Sequence, residues 1–223
     1  MQTTKQEYRQ FLKDHFKRLK LRAPLFYSCD FGLRFDLQIG ETNTEKYFHN
    51  VNRRATTIFQ SAFDSSDNVF LVLMDYKYKR RKIRCSNFIF RQIQDLHAAE
   101  ISFSKEIRLY DPRDKFDIRN LAIIKLKSGR VNHKTLLMAI ANQDFPSRFP
   151  RLAYNHIISN KEIYFININK KLIFNMYDDR GLDLVASDIE TLRPIYENHK
   201  DWILDHDRAQ IEKLYTKKYI LTF

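Results

Sequence analysis

The chain has 223 residues, of which 43% are hydrophobic and 14% aromatic, and its formal net charge is +12. A chain of this length can bury a sizeable core, and its apolar content is too high for an intrinsically disordered protein. It contains four glycines, which argues against the glycine-rich loops that cradle nucleotide phosphates. Composition therefore excludes a disordered protein and disfavours a nucleotide-binding enzyme.

The sequence also lacks signals for membrane insertion or secretion. It contains no run of about 18 apolar residues, and residues 1–20 are polar and charged, unlike a signal peptide. Cys29 and Cys85 match neither a disulfide framework nor a zinc-binding pattern. We therefore expect a cytoplasmic protein with no membrane partner, no metal and no other cofactor.

The positive charge is concentrated in the first two thirds of the chain. Residues 1–91 carry 18 Lys and Arg against 9 Asp and Glu, residues 92–160 carry 11 against 7, and residues 161–223 carry 10 against 11. A surplus of this size favours association with polyanions or acidic surfaces. A surface for such a partner is expected in the first two thirds.

A helix and a strand are predicted at the N-terminus. Thr4 and Glu7 form a capping-box pattern before apolar residues at helical spacing, so a helix is expected to begin after Thr4. The segment 25–39 predicts one or two strands. After Gly32, apolar residues alternate with polar ones such as Arg34, which is typical of a half-buried strand.

A longer helix and a central strand follow. Thr42 and Glu45 repeat the capping-box pattern before an apolar stripe that runs from Tyr47 to Phe63. The run 69–74 is apolar at every position, which is typical of a strand buried on both faces. The order helix, strand, helix, strand is therefore predicted for this part of the chain.

The middle of the chain is harder to interpret. Residues 88–118 mix apolar and charged positions without a clear period, so they allow no detailed assignment. A strand is predicted at 121–126, and a helix with Asn132 as its N-cap follows.

A domain boundary is expected at residues 144–151, where Pro146 and Pro150 interrupt secondary structure. The prediction is a basic α+β region at 1–145 and a C-terminal module at 152–223, with one continuous domain as the alternative.

The C-terminal module is predicted to be a three-stranded β-meander followed by helices. The strands are expected at 164–168, 172–177 and 182–186, joined by turns at 169–170 and 178–181. Ser187 and Glu190 form a third capping pattern, and Asp205 is placed to cap a last helix. The expected fold class is α+β.

One turn of this module combines two carboxylates, a guanidinium and a glycine. It comprises Tyr177, Asp178, Asp179, Arg180 and Gly181, and we call it the YDDRG turn. A structural role is favoured, with Gly181 at positive φ and the aspartates accepting hydrogen bonds from backbone amides. The functional alternative is that Asp178, Asp179 and Asp183 hold a divalent cation or pair with a basic partner.

Several motifs surround this turn in a fixed order. They are IYFIN at 163–167, LIF at 172–174, MYDDRGLD at 176–183, TLRPIY at 191–196, and DWILD at 201–205 followed by Asp207 and Arg208. This set resembles an uncharacterised bacterial family defined by a C-terminal YDDRG motif, and the resemblance covers about the last quarter of the chain. It implies no established activity. Some members carry a label as prophage-associated DNA-binding proteins, so the resemblance makes DNA binding an expectation to test.

The strongest candidate for a polyanion site is a basic run directly after the predicted central strand. Six cations occur within eight residues, with two tyrosines interleaved: Lys77, Lys79, Arg80, Arg81, Lys82 and Arg84, with Tyr76 and Tyr78. We call residues 76–84 the basic segment. Its cations are suited to phosphates and its tyrosines to stacking on exposed bases. Arg53, Arg54 and Arg91 would extend the surface if they fold onto the same side. The alternative is a solvated loop that keeps the protein soluble.

The evidence for catalysis is weaker. Asp75 and Lys77 match the Asp-x-Lys element of metal-dependent nucleases, with Asp64 or Asp67 as the second ligand. The seven histidines form no metal-binding pair, and no nucleophile motif is present.

The sequence therefore predicts a non-catalytic binding protein whose partner is nucleic acid or an acidic protein. One alternative is an immunity or antitoxin-like module that uses its acidic turn, although an inhibitor of a basic nuclease is expected to be acidic overall. The other is a metal-dependent nuclease.

Overall fold

The computed structural model describes residues 2–77, 82–152 and 161–216. Its helices are α1 (Thr4–His15), α2 (Glu45–Ala62), α3 (His133–Ala141), α4 (Ile189–His199) and α5 (Asp205–Thr216). Its strands are β1 (Phe31–Asp36), β2 (Asn68–Tyr76), β3 (Ile101–Ile107), β4 (Ile118–Lys127), β5 (Lys161–Asn167), β6 (Leu172–Met176) and β7 (Gly181–Ala186). None of the helices within the described ranges is long and apolar enough to cross a membrane.

The strands form one seven-stranded sheet in the order β1-β7-β6-β5-β2-β4-β3, and each neighbouring pair is antiparallel. Helices pack on an antiparallel sheet, so the predicted α+β class is confirmed. β5, β6 and β7 are part of this larger sheet, since β5 pairs with β2 and β7 pairs with β1. Strands from both sides of the predicted boundary therefore share one sheet.

Both faces of the sheet are covered. Successive residues of a strand point to opposite faces, and in β2 Phe70 and Val72 join an apolar cluster with residues of α1. Leu71 and Leu73 join the larger cluster that contains residues of α2, α3 and α4. We call these two sides the α1 face and the α2 face. Their coverage explains why the run 69–74 is apolar throughout, and it confirms the predicted central strand.

Helix boundaries agree with the sequence predictions less well than helix positions do. The N-caps of α1, α2 and α4 are Thr3, Thr44 and Asp188, where the sequence predicted Thr4, Thr42 and Ser187. Polar neighbours compete for the same free amides, and the residue that caps is the one in extended conformation just before the helix. The predicted cap of α3 is confirmed, because Asn132 Oδ1 accepts a hydrogen bond from Thr135 N at 3.3 Å.

The ambiguous stretch 88–118 contains an edge strand. Among the described residues β3 pairs with β4 alone, and its residues alternate between exposed and partly buried positions after a buried Ile101. Ser102, Ser104, Lys105 and Glu106 interrupt its apolar residues, so this strand lacks the apolar run that identified β2. This is why its sequence does not resemble a buried strand.

Candidate nucleic-acid interface

The basic segment leaves the sheet at the end of β2. Lys77 N donates a hydrogen bond to Ile118 O at 2.8 Å, so the backbone pairing with β4 extends one residue past the strand. Tyr78, Lys79, Arg80 and Arg81 lie outside the described residues. The described chain resumes at Lys82, which is exposed.

Ile83 fixes the far end of the segment to the core. Ile83 is 8% exposed and belongs to the cluster on the α2 face, whereas Lys82 and Arg84 on either side of it are exposed. A buried aliphatic residue between two cations holds the backbone in place while both charges stay in water. The two ends of the basic segment are thus held by Lys77 at the sheet and by Ile83 at the core.

Two residues of β3 lie beside this segment. Phe103 lines a depression together with Lys82, Arg84 and Asp75, and Lys105 is exposed two residues further along the strand. Both were missed in the sequence because they fall in the ambiguous stretch. The signal that could have identified them is the alternation of Ile101, Phe103 and Lys105 with two serines.

The cations of the basic segment and of β3 are different residues from those that form the ion pairs of the fold. Within the described ranges, the ion pairs use Lys17, Arg34, Arg119, Lys125, Arg130, Arg148, Lys170, Arg180, Arg193 and Arg208. Lys77, Lys82, Arg84 and Lys105 are not in this group, so no carboxylate in those ranges neutralises them. Their charges are available to a partner.

Tyr76 already has a cation–π partner within the protein. The guanidinium of Arg119 lies between two rings, 5.0 Å from the centroid of Tyr76 and 4.6 Å from that of Tyr110. Asp117 Oδ1 accepts a hydrogen bond from Arg119 Nε at 3.2 Å. The cation covers one side of the Tyr76 ring, which helps to fix the end of β2.

Arg53 and Arg54 lie near a different edge of the sheet. Their guanidinium carbons are 5.5 and 5.2 Å from the centroid of Trp202, and Arg54 Nη1 donates to Asp36 O at the end of β1 at 2.9 Å. Since β1 is four strand spacings from β2, about 19 Å separates the two strands. The structure thus brings both arginines to Trp202 and the β1 edge. Arg91 is exposed in a short 3-10 helix at Phe90–Gln92.

The carboxylates proposed for a nuclease centre do not meet. Asp75 is 5% exposed near the end of β2, in register with Asn120 and Lys161. Asp67 precedes the start of the same strand, and eight residues of extended chain span roughly 26 Å. Asp67 accepts a hydrogen bond from Asp64 N at 2.8 Å, so Asp64 lies with it at that end. The prediction that Asp64 or Asp67 shares a cation with Asp75 is therefore wrong.

The YDDRG turn directs its carboxylates inward. Asp178 and Asp179 are each 4% exposed. Asp178 Oδ1 accepts a hydrogen bond from Arg180 N at 2.8 Å, and its Oδ2 accepts one from Arg180 Nε at 2.8 Å. Asp179 Oδ2 accepts a hydrogen bond from Tyr47 of α2 at 2.5 Å. Burial raises the pKa of Asp179, and the Tyr47 hydrogen bond opposes that shift.

Gly181 is required for space, not for its backbone angle. The prediction of a positive φ is wrong, since Gly40 is the described glycine with that geometry. A Cβ on Gly181 would lie 2.1 Å from the Tyr177 hydroxyl and 2.7 Å from Phe35 O. Tyr177 folds over its own hairpin, and burial raises its pKa to about 12. A side chain at position 181 would displace either this ring or β1.

Asp183 belongs to a separate cluster. In β7 Leu182 and Leu184 join the α2-face cluster and Val185 joins the α1-face cluster, so Asp183 points to the α1 face, away from Tyr47. Its Oδ1 lies 3.4 Å from Arg34 Nε, and its Oδ2 accepts a hydrogen bond from the Phe26 amide at 3.1 Å. Burial raises the pKa of Asp183 to about 6.

Arg34 links this cluster to α5. Arg34 Nη1 lies 3.3 Å from Asp207 Oδ2 and donates to the Tyr27 hydroxyl at 2.8 Å. The Tyr27 hydroxyl in turn donates to Asp207 Oδ1 at 2.9 Å. Sequence alternation placed Arg34 on the polar side of a half-buried strand, but its side chain is 17% exposed because α5 covers it. These contacts join β1, β7 and α5.

Among the described residues, Asp144, Asp178 and Asp179 form a group that could hold a metal ion, since one carboxylate oxygen from each lies within 4.8 Å of the others. Asp183 is not part of this group, so the predicted combination of Asp178, Asp179 and Asp183 is wrong. Arg180 already engages both oxygens of Asp178, and Tyr47 engages Asp179. The arrangement fits a turn stabilised by internal hydrogen bonds.

Comparison with known proteins identifies the family. A family model described as a domain of unknown function (DUF3885) matches residues 8–207. This chain belongs to the DUF3885 family. A relative from Bacillus subtilis (strain 168), named "Uncharacterized protein YnaE", is 25% identical over 216 residues, which cover 88% of this chain and 96% of that protein. No solved structure matches the chain significantly.

The extent of the DUF3885 match agrees with the single sheet. The motif resemblance covered the last quarter of the chain, whereas the match also includes most of α1, all of β3 and the basic segment. The uncharacterised bacterial family predicted from the YDDRG motif is confirmed. The YDDRG turn is one corner of a larger DUF3885 unit.

Proposed function

We propose that this protein is a non-catalytic, cytoplasmic binding protein that engages nucleic acid. The proposed contact surface comprises Lys77, Lys82, Arg84 and Lys105, and we call it the basic surface. Lys79, Arg80 and Arg81 add charge to it by their place in the sequence. The observation that carries the proposal is the pair Lys82 and Arg84, exposed on either side of the buried Ile83. Cations that form no ion pair with a described carboxylate, on an anchored backbone, are suited to phosphate groups.

Phosphate contacts make a quantitative prediction about salt. Each neutralised phosphate releases counterions, so the logarithm of the affinity falls with the logarithm of salt by about 0.7–0.9 per contact. About four contacts would lower the affinity roughly 50- to 150-fold between 50 and 200 mM salt. A partner held mainly by apolar contacts would show little of this dependence.

The two alternatives have less support. An immunity-like module that uses the YDDRG turn needs its carboxylates at the surface, but Asp178 and Asp179 are each 4% exposed. A nuclease centre on Asp75 lacks the upstream ligand, because Asp67 lies at the other end of β2. Nucleic-acid binding through the basic surface remains the best-supported function.

The test is a binding titration with matched charge reversals. Fluorescently labelled oligonucleotides are titrated with the full chain at several salt concentrations, and binding is followed by anisotropy. Lys82→Glu with Arg84→Glu is expected to lower the affinity at least tenfold at low salt and to reduce the salt slope by about 2.

The control reverses two exposed cations elsewhere. Lys46→Glu with Lys134→Glu changes the net charge equally, and both positions lie in first helical turns, where an acidic residue is tolerated. This control is expected to keep most of the affinity. Absence of binding at low salt, or an equal loss in both variants, would remove the proposed surface.

A further inference from the structure

Phe103 is an exposed aromatic ring on the edge strand next to the basic segment. Phe103 is 49% exposed. Ile101 of the same strand is buried in the α2-face cluster, and side chains two residues apart share a face. Phe103, Lys105 and Ile107 therefore line one face of β3, and Ile107 is also exposed, at 58%.

The surroundings of this ring are cationic. Lys82 and Arg84 line the same depression as Phe103, and Lys105 follows at a distance of about 7 Å along the strand. Asp75 also lines the depression but is 5% exposed, so it offers little negative charge to a partner. The surface thus presents one aromatic face among three cations.

This combination distinguishes between forms of nucleic acid. The bases of a duplex are stacked on each other and do not offer their faces to a ring on a flat protein surface. The bases of a single strand are free to stack on an aromatic side chain while nearby cations hold the backbone. An exposed ring adds affinity for the second form and not for the first.

We propose that the partner is a single-stranded nucleic acid and that Phe103 stacks on one of its bases. The proposal rests on the proposed function, because Lys82, Arg84 and Lys105 supply the phosphate contacts. It goes further by naming the strandedness of the partner and a stacking residue. Tyr76 does not serve in this way, since Arg119 already covers one side of its ring.

Self-association through β3 is the competing use of this surface. An edge strand can pair with the same strand of a second copy. In a two-fold symmetric pair, however, both copies present the same surface to each other. Lys82, Arg84 and Lys105 of the two copies would then meet one another, which is unfavourable. A polyanion matches the same surface.

The experiment compares two probes of equal phosphate number with the full chain: a labelled oligo(dT) single strand and a labelled DNA hairpin duplex. Phe103→Ala is expected to weaken oligo(dT) binding about 5- to 150-fold, as loss of one stacked base does, and to leave duplex binding unchanged. Phe103→Tyr is expected to retain tight binding. Phe149→Ala, at a ring that is 60% exposed outside β3, is the control and is expected to have no effect.

A fluorescence measurement tests stacking directly. The chain has one tryptophan, Trp202, so Phe103→Trp adds a second reporter at the proposed contact. Oligo(dT) is expected to quench the added fluorescence, and the duplex is expected to leave it unchanged. Equal quenching by both probes, or none by oligo(dT), would contradict stacking at this position.

The outcomes separate the two proposals. If both probes bind equally, and Phe103→Ala has no effect while Lys82→Glu with Arg84→Glu does, the stacking proposal fails and the proposed function stands. If neither probe binds at low salt, both fail. If Phe103→Ala instead converts a dimer to a monomer in sedimentation, with binding unchanged, β3 is a self-association edge and the stacking proposal is overturned.

Discussion

The basic surface and the YDDRG turn use charged residues in opposite ways. At the basic surface, Lys82 and Arg84 are exposed beside a buried anchor. In the turn, Asp178 and Asp179 are buried and accept hydrogen bonds from Arg180 and Tyr47. The first arrangement leaves charge for a partner, whereas the second consumes it within the fold. The more conspicuous motif of the sequence is therefore the more structural of the two.

The turn also connects distant parts of the chain. Leu37 N, just past β1, donates a hydrogen bond to Arg180 O at 3.0 Å, and Gln143 Nε2, just past α3, donates to Tyr177 O at 2.5 Å. Changes in the turn should accordingly alter stability and spare binding, while changes at the basic surface should do the reverse. Two predictions test this separation, and a third, with the smallest effect, tests the buried Asp183 cluster beside the turn.

The largest effect is expected from Gly181→Ala. The added methyl would overlap the Tyr177 hydroxyl and the Phe35 carbonyl, and such overpacking costs about 3 kcal/mol. Urea denaturation followed by Trp202 fluorescence measures the loss. Gly40→Ala, at positive φ but with no atom within 4 Å, is the control and should cost about 1 kcal/mol. Equal losses in the two variants would show that Tyr177 does not restrict position 181.

A smaller effect is expected from Asp179→Ala. This change leaves the Tyr47 hydroxyl without its carboxylate acceptor in a buried site, at a cost of about 2 kcal/mol. Asp179→Asn keeps an oxygen acceptor and should cost less. Both variants, once folded, should bind oligonucleotides as tightly as the unmodified protein. Loss of binding with unchanged stability would make the turn a contact site and break the comparison.

The smallest effect concerns pH and Asp183. Its pKa is raised from 3.8 to about 6 by burial, so the folded state binds a proton more tightly than the unfolded state. The resulting stabilisation is full below pH 3.8 and is lost as pH rises through 6. Between pH 5 and 7 this group should remove about 1 kcal/mol of stability.

The measurement for Asp183 is the unfolding free energy as a function of pH, compared with that of Asp183→Asn. The unfolding free energy of the variant should not show the fall between pH 5 and 7 that Asp183 causes. Groups with lowered pKa values, such as Glu100 beside Arg130, act equally in both proteins. Parallel pH profiles would contradict a raised pKa at Asp183. Arg34 lies between Asp183 and Asp207. The Asp183→Asn variant therefore also tests how much the Asp183 charge contributes to holding Arg34 in place.

Local patterns in the sequence predicted the elements with strong apolar signals. β2 was recognisable because both of its faces are covered, and α2 because its apolar stripe is continuous over five turns. β3 was missed because Ser102, Ser104, Lys105 and Glu106 leave it without the apolar run that a strand buried on both faces has. Edge strands follow a weaker pattern for this physical reason.

Local sequence patterns could not predict contacts between residues that are far apart in the chain. Tyr47 and Asp179 are 132 positions apart, and nothing in either neighbourhood indicates the other. The same holds for Arg54 and Trp202, which meet near β1. The sequence did locate the basic segment, since six clustered cations need no tertiary information. It could not show that Phe103 would lie beside Lys82 and Arg84.

The pairing of β1 with β7 has a consequence for synthesis of the chain. Phe31 lies in register with Ala186, so β1 leaves the ribosome long before β7, its neighbour in the described sheet, has been made. At typical elongation rates that interval is roughly 10–30 s. During this time Leu33 and Phe35, both fully buried in the finished protein, have no strand to pair with. Completion of the sheet is therefore a late event in synthesis, and until β7 is made the unpaired β1 exposes the nascent chain to aggregation.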